Sequence, residues 1–460
     1  MKKVLAILLV VCLVAALAAC GTKDDTNTSA PPSNTGSSAP PSDNSSAPPS
    51  DNGDSEDNGT AWPVNTGFFD PDFDYSVFPN FKVGFLSFSN GFLNVEWDKA
   101  NVDWAARMNI NYTGMWAPAT QGDIDGYFSA IQTYCDQGYD GLLLMPESTT
   151  YVRCKEICDE NDMLWFAVMS QARDYAGDSR LVAPSVGMDQ YGFGRALFHF
   201  LWDWKEANHP DVDWENVGFV NVEMGTSVEL RKRADACEML WAERLPEFGV
   251  YDPSPAINPK NFWVADVTTG NRDQVTAQNL TTQIITANPN IEVWLVAANV
   301  DQYAMGAANA IENLNLIEQS AVACCGGSDL IQQWDSGVKN AWRAAYFTPQ
   351  SIFAETGVCA LWEYMAGHVT PETIWPEWVN VNDKGDRHDA SGNVIEEFSY
   401  ATMLLSSCML AEDTYKTYLE WSDLYCYGPD SDGHYNYDKV YDLSLFTVVE
   451  EIPAHYSVKQ

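Results

Sequence analysis

From residue 81 onward, short apolar runs alternate with longer stretches of helical period, and this alternation restricts the chain to one class of fold. Val83–Phe88, Tyr112–Trp116, Gly141–Met145 and Leu164–Met169 read as strands that are apolar on successive residues. Between them, Ile124, Tyr127, Phe128, Ile131 and Cys135 fall at i, i+3, i+4, i+7 and i+11, one face of a helix over 123–138. A strand that is apolar on both faces must be covered on both. A helix following each strand is how a parallel sheet obtains that cover.

A second set follows. A helix over Tyr191–Glu206 leads to a strand at Val217–Val222, a helix at 227–244 and a strand at Phe262–Asp266. A helix at 273–287, a strand at Ile291–Ala297, a helix at 301–315 and a strand at Ala321–Cys325 complete it. Two successive sets of about 110 residues each predict two α/β lobes rather than one oversized sheet.

Charge and motifs narrow the function. The 460 residues carry 64 Asp and Glu against 25 Lys and Arg, a formal charge of −39. Such a chain meets a phosphate backbone with like charge, so nucleic acid is not an expected partner. The densest basic run is Arg-Lys-Arg at 231–233. Walker A, HExxH and GxSxG patterns are absent, and Gly192-Phe-Gly194 is a lone GxG that follows no clear strand. A non-enzyme without a cofactor is therefore expected. Eleven cysteines include Cys12 and Cys20 in the leading segment; the other nine are an odd number scattered through a large body, so a disulfide scaffold is not predicted. Cys154 and Cys158, and the adjacent Cys324 and Cys325, find no clustered His for zinc and read as small buried thiols. Asp430-Ser-Asp432-Gly433 hints at calcium, but its Gly stands at the fourth place, not the sixth, and no Glu follows at the required distance. No metal is expected.

The first sixty residues point to a compartment. Lys2 and Lys3 precede an apolar run from Val4 to Ala19, which ends in Leu17-Ala18-Ala19-Cys20. Basic head, apolar middle and small residues make a secretory signal; no other apolar run reaches the roughly eighteen residues of a membrane span. The ending resembles a bacterial lipoprotein signal, with Leu-Ala-Ala-Cys matching the lipobox. That resemblance implies cleavage before Cys20 and lipidation of its thiol. Residues 21–62 are dominated by Ser, Pro, Asn, Asp, Gly and Thr, with Ser-Ala-Pro-Pro-Ser recurring at 29, 38 and 46. Such a segment buries too little apolar surface to fold and reads as a disordered tether, spanning about 35 Å if flexible. The expected place is the extracytoplasmic face of a bacterial cell membrane, with residues 1–20 as signal and 21–62 as tether.

Several segments of the body resemble type I periplasmic binding proteins of the ribose/galactose kind. Val83-Gly-Phe-Leu-Ser-Phe-Ser-Asn-Gly-Phe92 resembles their first strand and loop, and Asp140-Gly-Leu-Leu-Leu-Met-Pro146 their third strand. Val186-Gly-Met-Asp189 with Gly194-Arg resembles the crossover into the second lobe. Ala298-Asn299 through Asp301, then Ala304-Met-Gly-Ala307, resembles their Asn-Asp-x-x-Ala-x-Gly-Ala segment with one extra residue. The resemblance covers roughly 81–382. It implies an α/β fold of two Rossmann-like three-layer lobes joined by a multi-segment hinge, with a ligand in the cleft and delivery to an ABC permease. Crossovers are expected near 184–190, Gly326–Ser328 and Phe347–Gln350. Lobe one would then hold 76–187 plus about 328–348, and lobe two 188–327 plus about 349–382, with 383–460 as an extension.

The residues locate the cleft as well. In open α/β sheets, ligands bind outside the carboxyl ends of the strands. Those ends carry Phe88, Asn90, Trp116, Ser170, Gln171, Asp266, Asn299 and Asp301. Aromatic faces beside hydrogen-bonding groups suit a polyol. The resemblance matches Asn90 and Phe92 to the family's first-loop ligand residues, and Asn299 to its second-lobe Asn. Arg231 or Arg233, after Gly225-Thr226-Ser227, matches its ligand-binding Arg, and Phe347 aligns roughly with a Gln near the third crossover. Three places depart, Phe347 being the first. Ser170-Gln171 replace the family's Asp-Arg, and Gly326 replaces an Asp. The loss of two pocket carboxylates counts against simple ribose or galactose. The same residues have plainer uses: turn capping for Asn90 and Asn299, core packing for Trp116, a solvated helix face for the arginines.

The expectation is a monomeric, lipid-anchored solute-binding protein that feeds a carbohydrate-like ligand to an ABC importer. A sensor presenting ligand to a membrane histidine kinase would use the same body. A surface glycoside hydrolase would instead use paired carboxylates such as Glu147 and Asp174. In the extension, Asp383-Lys-Gly-Asp and Asp389-Ala-Ser-Gly-Asn read as hairpin turns, and Met403–Leu419 as a helix.

Overall fold

The computed structural model describes residues 62–63, 67–88, 92–116, 123–175, 181–251, 258–347, 350–371, 374, 387–388, 394–396, 400, 402–405 and 408–416. The expected signal, Cys20, nearly all of the tether and the Asp430–Gly433 segment lie outside them. Residues 61–460 form one unit.

The first eight elements are β1 (Lys82–Ser87), α1 (Phe92–Arg107), β2 (Asn111–Trp116), α2 (Ile124–Asp136), β3 (Gly141–Met145), α3 (Tyr151–Glu160), β4 (Leu164–Met169) and β5 (Ser185–Met188). Next come α4 (Gln190–Asn208), β6 (Val217–Glu223), α5 (Val228–Arg244), β7 (Phe262–Asp266), α6 (Gln274–Ala287), β8 (Val293–Ala298) and α7 (Asp301–Asn313). The remainder is β9 (Ser320–Cys325), α8 (Ser328–Asp335), β10 (Trp342–Phe347), α9 (Gln350–Met365), β11 (Arg387–His388), β12 (Val394–Glu396), β13 (Thr402–Leu405) and β14 (Cys408–Ala411).

Two six-stranded sheets result, ordered β13-β5-β4-β3-β1-β2 and β14-β10-β9-β8-β6-β7. Every pairing in them is parallel except β10 with β14. The strand register runs Val83 beside both Tyr112 and Gly141 in the first sheet, and Val220 beside both Trp263 and Val296 in the second. Leu142, Leu143 and Leu144 are all fully buried, as a strand covered on both faces requires. In the first lobe α1 and α9 cover one face, and α2 and α3 the other. In the second lobe α4 and α5 cover one face, and α6, α7 and α8 the other. Helices start where an oxygen side chain takes an otherwise orphaned amide: Asp123 from Gly126 N at 2.9 Å, Asp189 from Gly192 N at 2.9 Å and Asp273 from Thr276 N at 2.8 Å. Gly194 lets α4 lie against α5, because a Cβ there would stand 2.1 Å from the Arg233 carbonyl oxygen.

Three connections pass between the lobes. The chain leaves the first sheet at Asp189, between β5 and α4, where a crossover was expected. It returns between β10 and α9, and crosses again between β13 and β14. The return expected at Gly326–Ser328 is not there. Strand β10 pairs with β9, Ala345 beside Cys324, so 328–347 stays in lobe two. The Gly326-Gly327 pair, at φ 119° and 114°, makes a tight turn inside one βαβ unit rather than a hinge. Helix α9 packs on α1, β3 and β4, so 350–365 belongs to lobe one, not lobe two.

The C-terminal segment also departs from expectation. The first part of the helix expected at Met403–Leu419 is strand instead: β13 (Thr402–Leu405) and β14 (Cys408–Ala411) lie one at the free edge of each sheet, and 417–419 lie outside the described residues. Short apolar runs are ambiguous between helix and strand, and here an open sheet edge decides. Strands β11 and β12 pair antiparallel; the Asp383–Asp386 and Asp389–Asn393 segments read as hairpin turns lie outside the described residues.

Upstream of β1, the segment 67–78 straps over lobe one. Gly67 N donates to Glu363 Oε1 at 3.0 Å, and Phe69 N to Glu355 Oε1 at 3.1 Å. Phe73, Tyr75 and Phe78 set their rings edge-on to the fully buried Trp362, with centroids 4.8–5.5 Å away. Trp62 stacks on His368 at 4.3 Å. Trp62, in the segment read as tether, thus packs on the body.

Candidate functional site

Carboxyl-end loops of one sheet meet those of the other. Lys232, in the first turns of α5, places its ammonium 5.6 Å from the ring centroid of Tyr175, in the loop after β4. Glu147, after β3, has burial pushing its carboxyl up, countered by the charge of Arg272 in the loop after β7. The cleft lies between these loops.

On the lobe-one side, Phe88 and Trp116 are half-buried at the ends of β1 and β2. Trp116 meets Phe85 edge-on at 6.2 Å, so one ring edge is core while part of the ring stays open. Asn90 lies outside the described residues, and Phe92 is placed only as the first residue of α1. Ser170 is half-buried; Gln171 is buried, and its Oε1 accepts from Arg173 Nε at 3.2 Å.

On the lobe-two side, the predicted residues separate into distinct roles. Asp266 accepts from Gly225 N at 3.0 Å, Thr268 N at 2.9 Å and Thr268 Oγ1 at 2.7 Å. Although partial burial works against it, these hydrogen bonds hold its carboxyl below the ordinary range. Asp266 therefore ties two loops together. Asp301 does similar work: its Oδ1 accepts from Gly327 N at 2.7 Å, while burial pushes its carboxyl up to about 7. Phe347 is half-buried at the end of β10, with its ring 3.5 Å from where a Gly327 Cβ would stand.

The two arginines differ. Arg231 is surrounded by carboxylates: Nη1 donates to Glu223 at 2.5 Å, Nε to Asp235 at 2.6 Å and Nη2 to Glu238 at 3.2 Å. One cation serves three anions, and burial pushes both Glu223 and Glu238 up to about 7. Its guanidinium is thus engaged along α5. Arg233 is buried, 5% exposed, and holds the first crossover: Nε donates to Gln190 Oε1 at 2.7 Å and Nη1 to Asn299 O at 2.6 Å, with Phe193 under its guanidinium.

Asn299 is different. Its backbone is fixed by N–H donation to Val222 O at 3.0 Å and by the Arg233 bond. Its side chain caps nothing: Nδ2 is buried, in a residue 4% exposed, and has no partner. A buried amide donor without an acceptor costs about 1–3 kcal/mol, which a ligand oxygen would recover.

The cleft also holds residues that the sequence reading did not select: Arg173, Tyr175, Glu229, Lys232 and Arg272. They sit in loops and first helical turns, where no periodicity marks them. For Arg173 there was a signal, since it stands two residues beyond Gln171, where the resembled family carries its Arg. Among the described residues, no group of three or more His, Cys, Asp or Glu could hold a metal ion, and the seven described cysteines with placed side chains are free thiols.

No protein-family model and no curated protein matches the chain. Solved structures do. An ABC transporter periplasmic solute-binding protein from Actinobacillus succinogenes, solved with bound D-allose, is 16% identical; the match covers 74% of this chain and 100% of that one, with a TM-score of 0.53. The periplasmic binding component of an arabinose ABC transporter from Shewanella sp. ANA-3 is 13% identical over 74% and 94%, with a TM-score of 0.52. An arabinose-binding protein from Geobacillus stearothermophilus is 12% identical over 74% and 99%, with a TM-score of 0.53. The chain has the two-lobe fold of type I periplasmic binding proteins.

Proposed function

We propose that this protein is a solute-binding protein that closes its two lobes on a sugar-like ligand and delivers it to an ABC permease. The observation that carries the reading is Asn299: a buried, unpartnered amide donor at the carboxyl end of β8, on the cleft side of a fold shared with sugar-binding proteins. Phe88 and Trp116 supply half-open aromatic faces against which the C–H face of a sugar ring can lie. Ser170 supplies a hydroxyl. Asn90 and Phe92 complete the first-lobe wall in this reading.

Closure follows from the three connections. Contacts made to the ligand by both lobes exist only in the closed arrangement, so ligand shifts the population toward it. The permease then reads the closed form. Cys20 carries the lipid that keeps the body at the membrane, and the protein acts as a monomer without catalysing a reaction.

The test is a thermal-shift series with D-allose, L-arabinose, galactose, ribose, myo-inositol and nucleosides. A ligand at 100 times its dissociation constant adds about 2.7 kcal/mol of stability and raises the melting temperature measurably. A flat response to every sugar and polyol, or turnover of a glycoside by the purified protein, would overturn the reading. For the anchor, Cys20→Ala should release the protein from membranes; unchanged retention would refute lipidation.

A further inference from the structure

The loop after β4 and the first turns of α5 belong to different lobes, and each buries charged residues. Glu229 is 3% exposed, Lys232 8% and Arg173 5%. Lys232 Nζ donates to Glu229 Oε1 at 3.2 Å. The loop leading into this helix is open to solvent at Gly225 and Thr226. Lobe one contributes a cover: the Tyr175 ring faces the Lys232 ammonium at 5.6 Å. On the lobe-one side, Arg173 is held by Gln171 and by the bridge from Arg173 to Leu181. Two further observations agree. Burial lowers Arg173 to about 10 while Glu229 works in the opposite direction, and Glu229 also acts on the buried Tyr151. Burial pushes the carboxyl of Asp189, the first crossover residue, up, and the Lys232 charge is among those that oppose it, so the group sits beside the hinge.

We infer that Arg173 and Tyr175 of lobe one, with Glu229 and Lys232 of lobe two, form a latch across the hinge end of the cleft that holds the lobes partly closed before any ligand arrives. The inference rests on the hinge-closure reading above and deepens it. Opening the lobes would separate Arg173 from Glu229 and strip the ring from Lys232. Charges that compensate one another when buried lose that compensation as they part. The latch therefore sets the closed population in the empty protein. Apparent affinity scales with that population, so these residues act on binding through closure.

The experiment reads the ligand-free protein first. Glu229→Gln, Lys232→Met and Tyr175→Leu are compared with the wild type by solution scattering, and Arg173→Gln is combined with Glu229→Gln. Tyr175 is only half-buried, so its leucine variant keeps the fold if either buried charge variant does not. The expected result is a larger radius of gyration in each single variant, with the Arg173→Gln/Glu229→Gln pair no more open than the worse single. Identical radii in wild type and the folded variants would overturn the latch. A sugar found by the thermal-shift series, such as D-allose, should bind the variants about 3- to 10-fold more weakly and still close them to the wild-type radius. If no sugar binds the wild type but the radii differ, the solute-binding reading fails and the latch stands. If sugar binds all forms equally and the radii agree, the reverse holds.

Discussion

The Arg233 guanidinium donates to the backbone oxygen of Asn299 at 2.6 Å. With its second bond, to Gln190 at 2.7 Å, it couples the first crossover to the cleft end of β8. One buried side chain thus fixes both the hinge and the position of the open amide donor.

Arg233→Lys should therefore be far from conservative. A lysine supplies a point charge without the planar fork, cannot reach both acceptors in their present geometry, and leaves a buried carbonyl short of a donor. The expected loss is about 2–4 kcal/mol in urea unfolding. A midpoint unchanged from wild type would show that the crossover does not depend on this fork.

Asn299→Ala should behave in the opposite way. Because Nδ2 has no partner within the protein, its removal takes away no native hydrogen bond. The empty protein should melt within a degree or two of wild type, by the roughly ±0.5 kcal/mol typical of changes that break nothing. Affinity for the cognate sugar should fall about 5- to 150-fold, the cost of about 1–3 kcal/mol for an unmade bond in a dry site. Early melting with unchanged affinity would return Asn299 to a structural role.

What the sequence revealed and what it concealed divide along physical lines. Strands such as Gly141–Met145 are continuous apolar runs because both faces are buried, and every strand assigned from such a run in 81–325 lies where it was expected, give or take two residues. Helix α2 was legible because one apolar stripe recurs along it. The lobe of α9 was not legible: Ala354, Val358, Cys359, Ala360, Leu361 and Trp362 are buried almost all round, so no stripe says which sheet they cover. Strands β13 and β14 were hidden because a free sheet edge, not local propensity, makes them strands. In the site, Asn299 could be found by its place after a strand. Arg231 and Arg233 sit two apart on one helix, and only the fold reveals that the first is surrounded by carboxylates and the second is a buried brace.

Stability should fall as pH rises through the acidic-to-neutral range. Glu238, fully buried, and Glu223 are pushed by burial from the ordinary 4.5 up to about 7, even with Arg231 opposing. Between those values the unfolded chain has released protons that the folded chain retains, so each unit of pH costs folding stability. Asp301 and Glu363, also raised by burial to about 7, add in the same direction. Asp266, held low, acts with the opposite sign and only below about pH 4. Glu238→Gln removes one of the raised groups. Its melting temperature should decline less than that of wild type between about pH 5 and about pH 8. Parallel curves for the two proteins would mean that Glu238 titrates normally.

The strap makes the last prediction, because it decides where the folded body starts. Composition places the end of the tether at residue 62, but Gly67 and Phe69 donate their amides to Glu363 and Glu355 of α9, and three strap rings converge on Trp362. If these contacts belong to the core of lobe one, the Gly67 and Phe69 amides should exchange hydrogen as slowly as amides of β3, through global opening alone. Trp362→Ala empties the site on which Phe73, Tyr75 and Phe78 close, at an expected cost of about 3–5 kcal/mol. The same substitution should release Gly67 and Phe69 to exchange by local opening while β3 remains protected, because the strap loses its anchor before the sheet does. Fast exchange at Gly67 and Phe69 in the wild type would instead make the strap part of the tether, and the Trp362→Ala loss would then be a matter of α9 packing alone.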